Sequence, residues 1–159
     1  MTQFNEHPQG FVLKLYSSDG KLIQEDIQLE PLIFKSTEFY YTGKIKLQYT
    51  KLTIKDLYYG DYIEYYENGN KKFHGTYDAK GFEVGEWKWY NQDGSINVIK
   101  KYKKEIEYYS NGKVKAEGSY IFDDNTNKWE RTGNWYFNTD DGKFNEMLEY
   151  KFGILQEKK

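Results

Sequence analysis

The stretch Gly85-Glu86-Trp87-Lys88-Trp89-Tyr90-Asn91-Gln92-Asp93-Gly94 constrains the fold more than any other part of the chain, because its frame recurs. Gly60-Asp61-Tyr62-Ile63-Glu64-Tyr65-Tyr66-Glu67-Asn68-Gly69 repeats it, and so does Gly133-Asn134-Trp135-Tyr136-Phe137-Asn138-Thr139-Asp140-Asp141-Gly142. Each copy opens on glycine, runs through aromatic residues and closes on Asn-Gly or Asp-Gly. Recurrence of this kind marks a chain built from one supersecondary unit used several times. Asn-Gly or Asp-Gly between apolar runs signals a hairpin, since a type I′ turn needs positive φ at both central residues. Each copy is therefore read as a strand, a two-residue turn and a return strand.

Counting from the turn glycines Gly69, Gly94, Gly112 and Gly142 exposes a common register. Eight residues after them stand Tyr77, Tyr102, Tyr120 and Tyr150; six after two of them stand Gly75 and Gly118; four before three of them stand Tyr65, Tyr90 and Tyr108. Strand side chains alternate between faces. One face then collects Trp87, Trp89, Ile96, Val98 and Tyr102, next Tyr109, Val114, Ala116 and Tyr120, next Trp135, Phe137, Phe144, Leu148 and Tyr150. This is the expected core face, with Trp87, Trp89, Trp135 and Phe137 as its anchors; Glu64, Glu107 and Glu146 interrupt it. The opposite face pairs Tyr65 with Lys72, Tyr90 with Asn97 and Tyr108 with Lys115.

The N-terminal third carries weaker copies. Phe11–Tyr16 is a strand, Ser18-Asp19-Gly20-Lys21 a turn, and Leu22 begins the return. Glu30-Pro31 breaks the pattern, because proline cannot donate to a central ladder. Gly43 sits in a weaker turn copy, Ile45–Tyr49 alternates, and residues 51–59 read as a short connection. No segment reads as a convincing helix. The chain thus divides into divergent hairpins (1–57), regular repeats (58–153) and a tail (154–159). The expected fold is all-β, a meander of antiparallel hairpins forming one long twisted sheet. A single sheet buries only one face well.

Composition narrows the function. The net charge is −2, with both signs interspersed, which implies no pull toward nucleic acid. The absence of cysteine removes disulfides, thiol nucleophiles and thiolate metal sites. The N-terminus has no basic start followed by an apolar run, so no signal peptide is read and a cytoplasmic location is expected. No stretch approaches the ~20 apolar residues of a membrane helix; surface association with a membrane stays open, as does the oligomeric state. Aromatic residues make up 19% of the chain, with 17 Tyr against 10 Phe and 4 Trp. Tyrosine suits half-buried sheet surfaces, where the ring packs and the hydroxyl stays wet.

Residues with catalytic potential are sparse. His74 stands on a return strand without a partner for a triad or metal, and His7 lies in an N-terminal tail. Asp123-Asp124-Asn125-Thr126-Asn127 lacks the glycine and glutamate of a calcium loop and reads as a polar turn. Glu64, Glu107 and Glu146 fall in different hairpins, which separates them for acid–base work. No enzyme activity, metal or cofactor is expected. The surface singled out is Tyr65, Tyr90 and Tyr108 with Lys72, Lys88, Lys101 and Lys115. Two readings of it stand: intrinsic sheet stabilisation, or a docking face for another protein.

The pattern Gly-x-Trp-x-x-Tyr…Asn-Gly-Lys…Gly-x-Tyr resembles the bacterial variant of the MORN repeat, and the chain is similar to the YwqK family of antitoxins. The residues that carry the likeness are Tyr65-Tyr66-Glu67-Asn68-Gly69, Gly85-Glu86-Trp87, Tyr108-Tyr109-Ser110-Asn111-Gly112-Lys113 with Glu117-Gly118-Ser119-Tyr120, and Gly133-Asn134-Trp135. Asn70 stands where lysine is usual, and Lys103 where an opening glycine is. The resemblance implies an open run of hairpins with no catalytic motif. It implies an antitoxin or immunity protein that binds and occludes a cognate toxin; the alternative it leaves is a scaffold or membrane-associated module.

Overall fold

The computed structural model of the chain describes residues 2–7, 10–53 and 56–156. Its strands are β1 (Thr2–His7), β2 (Gly10–Tyr16), β3 (Leu22–Glu30), β4 (Ile33–Phe39), β5 (Ile45–Leu52), β6 (Leu57–Tyr65), β7 (Lys71–Tyr77), β8 (Glu83–Tyr90), β9 (Ile96–Tyr108), β10 (Val114–Asp123), β11 (Lys128–Asn138), β12 (Phe144–Lys151) and β13 (Ile154–Leu155). They pair in chain order, β1 through β13. No helix occurs among the described residues, so the fold is the all-β meander expected. Pro31 falls in the turn between β3 and β4. The expected connection 51–59 is instead mostly paired strand, with Lys51 opposite Tyr58 and Leu52 opposite Leu57. Residues 54 and 55 within it, and 157–159 of the tail, lie outside the described residues.

The hairpin loops differ from the two-residue type I′ turns expected. Tyr66 N–H donates to the Asn70 carbonyl (2.8 Å) and Gly69 N–H to the Tyr66 carbonyl (2.9 Å). Three residues therefore lie inside the closing pair, and only the last has positive φ. This is a type I turn finished by a left-handed glycine. The loops at Gly20, Gly43, Gly94, Gly112 and Gly142 close the same way, with φ between 81° and 95° across all six glycines. The preceding Asn or Asp fixes the loop from its side chain. Asn68 Oδ1 accepts from Asn70 N–H (3.0 Å), Asp93 Oδ1 from Ser95 N–H (2.8 Å) and Asn111 Oδ1 from Lys113 N–H (3.0 Å).

A bulge follows each of these loops whose register is defined. Tyr65 aligns with Lys71 and Glu64 with Phe73, so Lys72 is the extra residue. Likewise Tyr108 aligns with Val114 and Glu107 with Ala116, leaving Lys115 over. The expected pairs Tyr65–Lys72 and Tyr108–Lys115 do not form, although from Glu64–Phe73 and Glu107–Ala116 outward the register is the expected one.

The opening glycines and the glycines six residues past the turn act together. Gly60, Gly85 and Gly133 have φ of 69°, 73° and 64°. Each precedes by two residues the ring that anchors its repeat: Tyr62, Trp87 or Trp135. At Gly60 the partners Tyr49 and Thr50 are adjacent while Tyr62 and Tyr59 are three residues apart, so the strand loops outward there. Trp87 then lies on Gly75 and Trp135 on Gly118. A Cβ at Gly75 would stand 2.0 Å from Trp87 Cδ2, and one at Gly118 2.5 Å from Trp135 Cδ2.

Backbone contacts divide the chain into two units: Met1–Gly81 with Trp87–Ile99, and Phe82–Glu86 with Lys100–Lys159. In the first, Trp87 is 2% exposed. In the second, Trp135 and Ala116 are fully buried on one face, while Phe82, Ser119 and Ile121 are buried on the other. Phe82 packs edge-on against Tyr136 (6.0 Å) under the Lys104 ammonium (4.8 Å), and Ser119 Oγ donates to the Glu83 carbonyl (3.2 Å). Phe82 and Ile121 stand outside the repeat frame and were not expected in the core. Conversely Ile96, Val98 and Phe144, expected there, are 53%, 39% and 64% exposed. They sit near the turns, beyond the stacked rings that bury the middle of each strand.

The tryptophan–glycine contact yields a direct test. Gly118→Ala forces a methyl into the Trp135 ring and is expected to lower stability by about 1–3 kcal/mol or more. In a Trp135→Ala background the same change should cost little, so a double-mutant cycle by urea unfolding will be strongly non-additive. Additive losses would mean that the ring does not rest on Gly118.

Candidate interaction surface

In the first unit the register stacks aromatic rings on one face. Tyr49 faces Tyr62, Tyr62 faces Gly75, and Glu64 faces Phe73. Because Gly75 presents no side chain, the Trp87 ring drops over it and meets Phe73 (5.0 Å) and Tyr77 (4.8 Å). Phe73 also touches Trp89 (4.9 Å) and Tyr62 (5.9 Å). Tyr58 extends the row, with its ring 5.3 Å from Tyr49, 5.1 Å from Tyr62 and 5.3 Å from Tyr77. The cluster is continuous. Apart from Trp87 and the exposed Tyr58 its members are half-buried, and no second layer covers this face among the described residues of the unit. Its charges are paired locally, Glu64 with Lys72 (2.7 Å) and Glu38 with Lys46 (3.5 Å).

The second unit repeats the arrangement with a cation at its centre. Trp135 Nε1 donates to the Ser119 carbonyl (3.0 Å), and Tyr120 stands edge-on to the indole (5.1 Å). The Arg131 guanidinium lies over Trp135 (4.3 Å), within reach of Phe137 and Tyr150 (5.5 Å each), and pairs with Glu107 (2.5 Å). A guanidinium over an indole is held by the ring quadrupole and shields the ring from water. Glu107, which interrupts the expected core face, is therefore the counter-charge of a cation–π site. Glu107, Ala116, Phe137 and Glu146 follow one another across four strands. At about 4.8 Å per strand the two carboxylates are about 14 Å apart, too far for a catalytic pair.

The tyrosine–lysine row singled out from sequence is placed differently. Tyr65 is half-buried, its hydroxyl donating to Gln48 Oε1 (3.0 Å) and its carbonyl accepting from Tyr40 (2.7 Å). The half-buried Tyr90 accepts at its carbonyl from the Tyr66 hydroxyl (2.8 Å). Lys72, displaced by the bulge, joins Glu64 on the aromatic face rather than Tyr65. Lys88 is half-buried, whereas Tyr108, Lys101 and Lys115 are exposed. Tyr65, Tyr90, Lys72 and Lys88 belong to the first unit, Tyr108, Lys101 and Lys115 to the second. Tyr58, central to the aromatic face, was missed because residues 51–59 lack the turn signals that frame a strand.

The remaining candidates resolve locally. His74 is half-buried, with Nε2 3.6 Å from Asp61 Oδ1, an oxygen that also accepts from Thr76 Oγ1 (3.1 Å). The loop at Asp123 is a tight hairpin: Asp123 accepts from Asn125 N–H (3.0 Å) and Thr126 Oγ1 (2.9 Å), and Asp123 pairs with Lys128. Among the described residues no three His, Asp or Glu side chains come together as a metal-binding group.

Comparison with known families finds the MORN repeat variant in three stretches, residues 58–79, 83–104 and 103–121. Each spans one hairpin about a turn glycine, Gly69, Gly94 or Gly112. MORN repeats are non-enzymatic modules that generally bind proteins or membranes. No curated protein matches the chain. The Gly142 hairpin lies outside the matched stretches yet shares their geometry, with Gly133 at positive φ and Trp135 seated on Gly118.

Burial within the aromatic face, reinforced by the negative charge of neighbouring tyrosinates and of Glu64 and Glu38, pushes the Tyr62 hydroxyl up to about 12. A free tyrosine ionises near 10. The neutral phenol is thus favoured by folding. Its contribution is complete below about pH 10 and is lost as pH rises through 12. Urea midpoints are expected to fall across that window, and Tyr62→Phe should flatten part of the fall. An unchanged slope in the variant would place Tyr62 in water.

Proposed function

We infer that the chain is a non-catalytic protein-binding module of the antitoxin type, which neutralises a toxin by covering its active site. One observation carries this reading: the continuous, partly open face of Tyr49, Tyr58, Tyr62, Phe73, Tyr77 and Trp89, packed around the buried Trp87 and with its charges already paired. Rings locked against one another lose little entropy on binding, and tyrosine and tryptophan dominate interface hot spots. A toxin held this way is blocked sterically, so the module needs no catalytic group. The likeness to MORN repeats supports protein binding, and the resemblance to antitoxins suggests the kind of partner.

A membrane-associated module of the kind the resemblance leaves open would need a free cluster of lysines, and the nearest approach to one in the sequence is Lys100, Lys101, Lys103 and Lys104. Three of these are engaged within the fold: Lys104 with Glu117 (3.6 Å) and Phe82, Lys103 with Glu105 (3.2 Å) and Trp129 (5.0 Å), and Lys100 over Phe152 (5.2 Å). They form no free basic patch.

The test is recovery of the partner from native cells on the tagged chain, followed by expression of that partner alone. The expected partner is stoichiometric, arrests growth, and is silenced by co-expression of the chain. Tyr58→Ser should abolish the rescue and Tyr108→Ala should spare it. A partner that is harmless alone, or recovery of lipid, would replace the antitoxin reading with the scaffold or membrane one.

A further inference from the structure

The sheet order ends on β12 and β13, and this edge is only partly paired. β13 covers Tyr150 and Lys151 through Leu155 and Ile154, and Gln156 N–H donates to the Glu149 carbonyl (2.8 Å). Glu149 therefore turns its backbone groups outward, away from β11. Antiparallel strands alternate such groups, so Met147 also turns its N–H and C=O outward, while Leu148 bonds inward to Trp135. Between the loop bulge and Glu149 nothing in the described residues meets the Met147 groups.

The side chains around this gap are apolar and acidic. Phe144 is 64% exposed and Met147 40%, and at the end of the edge Ile154 and Leu155 are 68% and 51% exposed. Glu146 has only Asn145 Nδ2 at 3.5 Å, and neither Glu146 nor Glu149 makes an ion pair among the described residues. Edge strands are normally blunted by lysine, proline or a covering element. Here the charge on the open stretch is a lone carboxylate, with no inward-turned lysine and no proline.

We propose that this edge receives an extended segment of a partner protein, added to β12 as a further strand and carrying a lysine or arginine between apolar residues. The Met147 N–H and C=O supply the main-chain bonds. Glu146 takes the cation, and Phe144, Met147 and Leu148 take the apolar neighbours. The site borders the second unit's aromatic face, where Leu148 lies opposite Trp135 and Glu146 opposite Phe137, shares no residue with the first unit's face, and does not depend on the partner being a toxin.

The probe is a labelled heptapeptide, Thr-Val-Val-Lys-Thr-Val-Thr, titrated into the full chain and followed by amide resonances and hydrogen exchange. Protection of the Met147 amide on binding is expected. Met147→Pro deletes the one outward N–H without touching the β11 ladder and should weaken binding about tenfold, the worth of one hydrogen bond at the upper end of the usual range. Glu146→Lys should reverse the preference toward the same peptide with glutamate for lysine. Binding that leaves the Met147 amide exchanging freely, or that survives Met147→Pro unchanged, overturns the proposal. So does binding by a chain ending at Gln156 alone, which assigns the edge to residues 157–159. Doubling of mass that Met147→Pro abolishes assigns it to a second copy instead.

Discussion

The fold depends on an indole ring lying flat on a glycine. The aromatic face of the first unit has no second layer among the described residues, so its hydrophobic contacts come from side chains lying along the sheet. Trp87 and Trp135 do this by covering the strand before their own, at Gly75 and Gly118, where any side chain would occupy the ring's place. The ring must also be aimed. Gly85 and Gly133 stand two residues earlier at positive φ, and at Gly133 the strand loops outward, with two extra residues on its side between the pairs Glu117–Tyr136 and Ser119–Thr132. Four glycines and two tryptophans thus form one device. It accounts for the burial of both indoles while the neighbouring rings of Trp89, Tyr62 and Tyr120 stay half-buried.

The turn edge adds a directional hydrogen-bond ladder. A tyrosine three residues before one turn glycine donates to a carbonyl four residues before the next: Tyr40 to Tyr65, Tyr66 to Tyr90, and Tyr109 to Asn138. The asparagine of one turn donates likewise, Asn68 to the Gln92 carbonyl (2.7 Å) and Asn111 to that of Asp140 (2.9 Å). Asn70, where the repeat usually has lysine, reaches the Gln92 carbonyl (2.8 Å) much as Lys113 reaches that of Asp141 (2.8 Å). Aspartate cannot donate, which separates the two Asx residues that look equivalent in a turn. The Gly94 and Gly142 hairpins carry Asn91, Asp93 and Lys100, and Thr139, Asp141 and Leu148, at the positions of tyrosine, asparagine and the receiving glycine. Asn91 Nδ2 and Thr139 Oγ1 bond within their own loops instead. The repeats are therefore graded by what they offer the next one.

Much of this was legible because turn chemistry is local. The turn glycines, the strand order and the register beyond Glu64–Phe73 follow from Asn-Gly and Asp-Gly spacing. The turn type did not, because a two-residue loop and a three-residue loop ending on glycine use the same dipeptide. One bulged residue then restores the register, hiding the difference everywhere except beside the turn. That is where Lys72 and Lys115 sit, and why the tyrosine–lysine row did not survive as drawn. The glycines at 75 and 118 were visible but unexplained, since their reason is a ring some dozen residues ahead or more. Phe82 and Ile121 obey no repeat position, and only the folded second unit reveals that both its faces are buried.

A single-layer sheet also sets what such a chain can do. Its backbone bonds run between neighbouring strands in the plane of the sheet, so one face can stay partly apolar without unfolding the protein. An aliphatic face of that kind would be adhesive without selection. Tyrosine tempers it, because each ring keeps a hydroxyl that water satisfies until a partner replaces it with a matched group. The Glu64–Lys72 and Glu38–Lys46 pairs act in the same sense. They leave the face with no unbalanced charge to steer nonspecific partners, yet any partner that covers them without hydrogen bonds must meet a desolvation cost. Selectivity in a surface of this kind comes from the partners it makes unfavourable as much as from the one it fits.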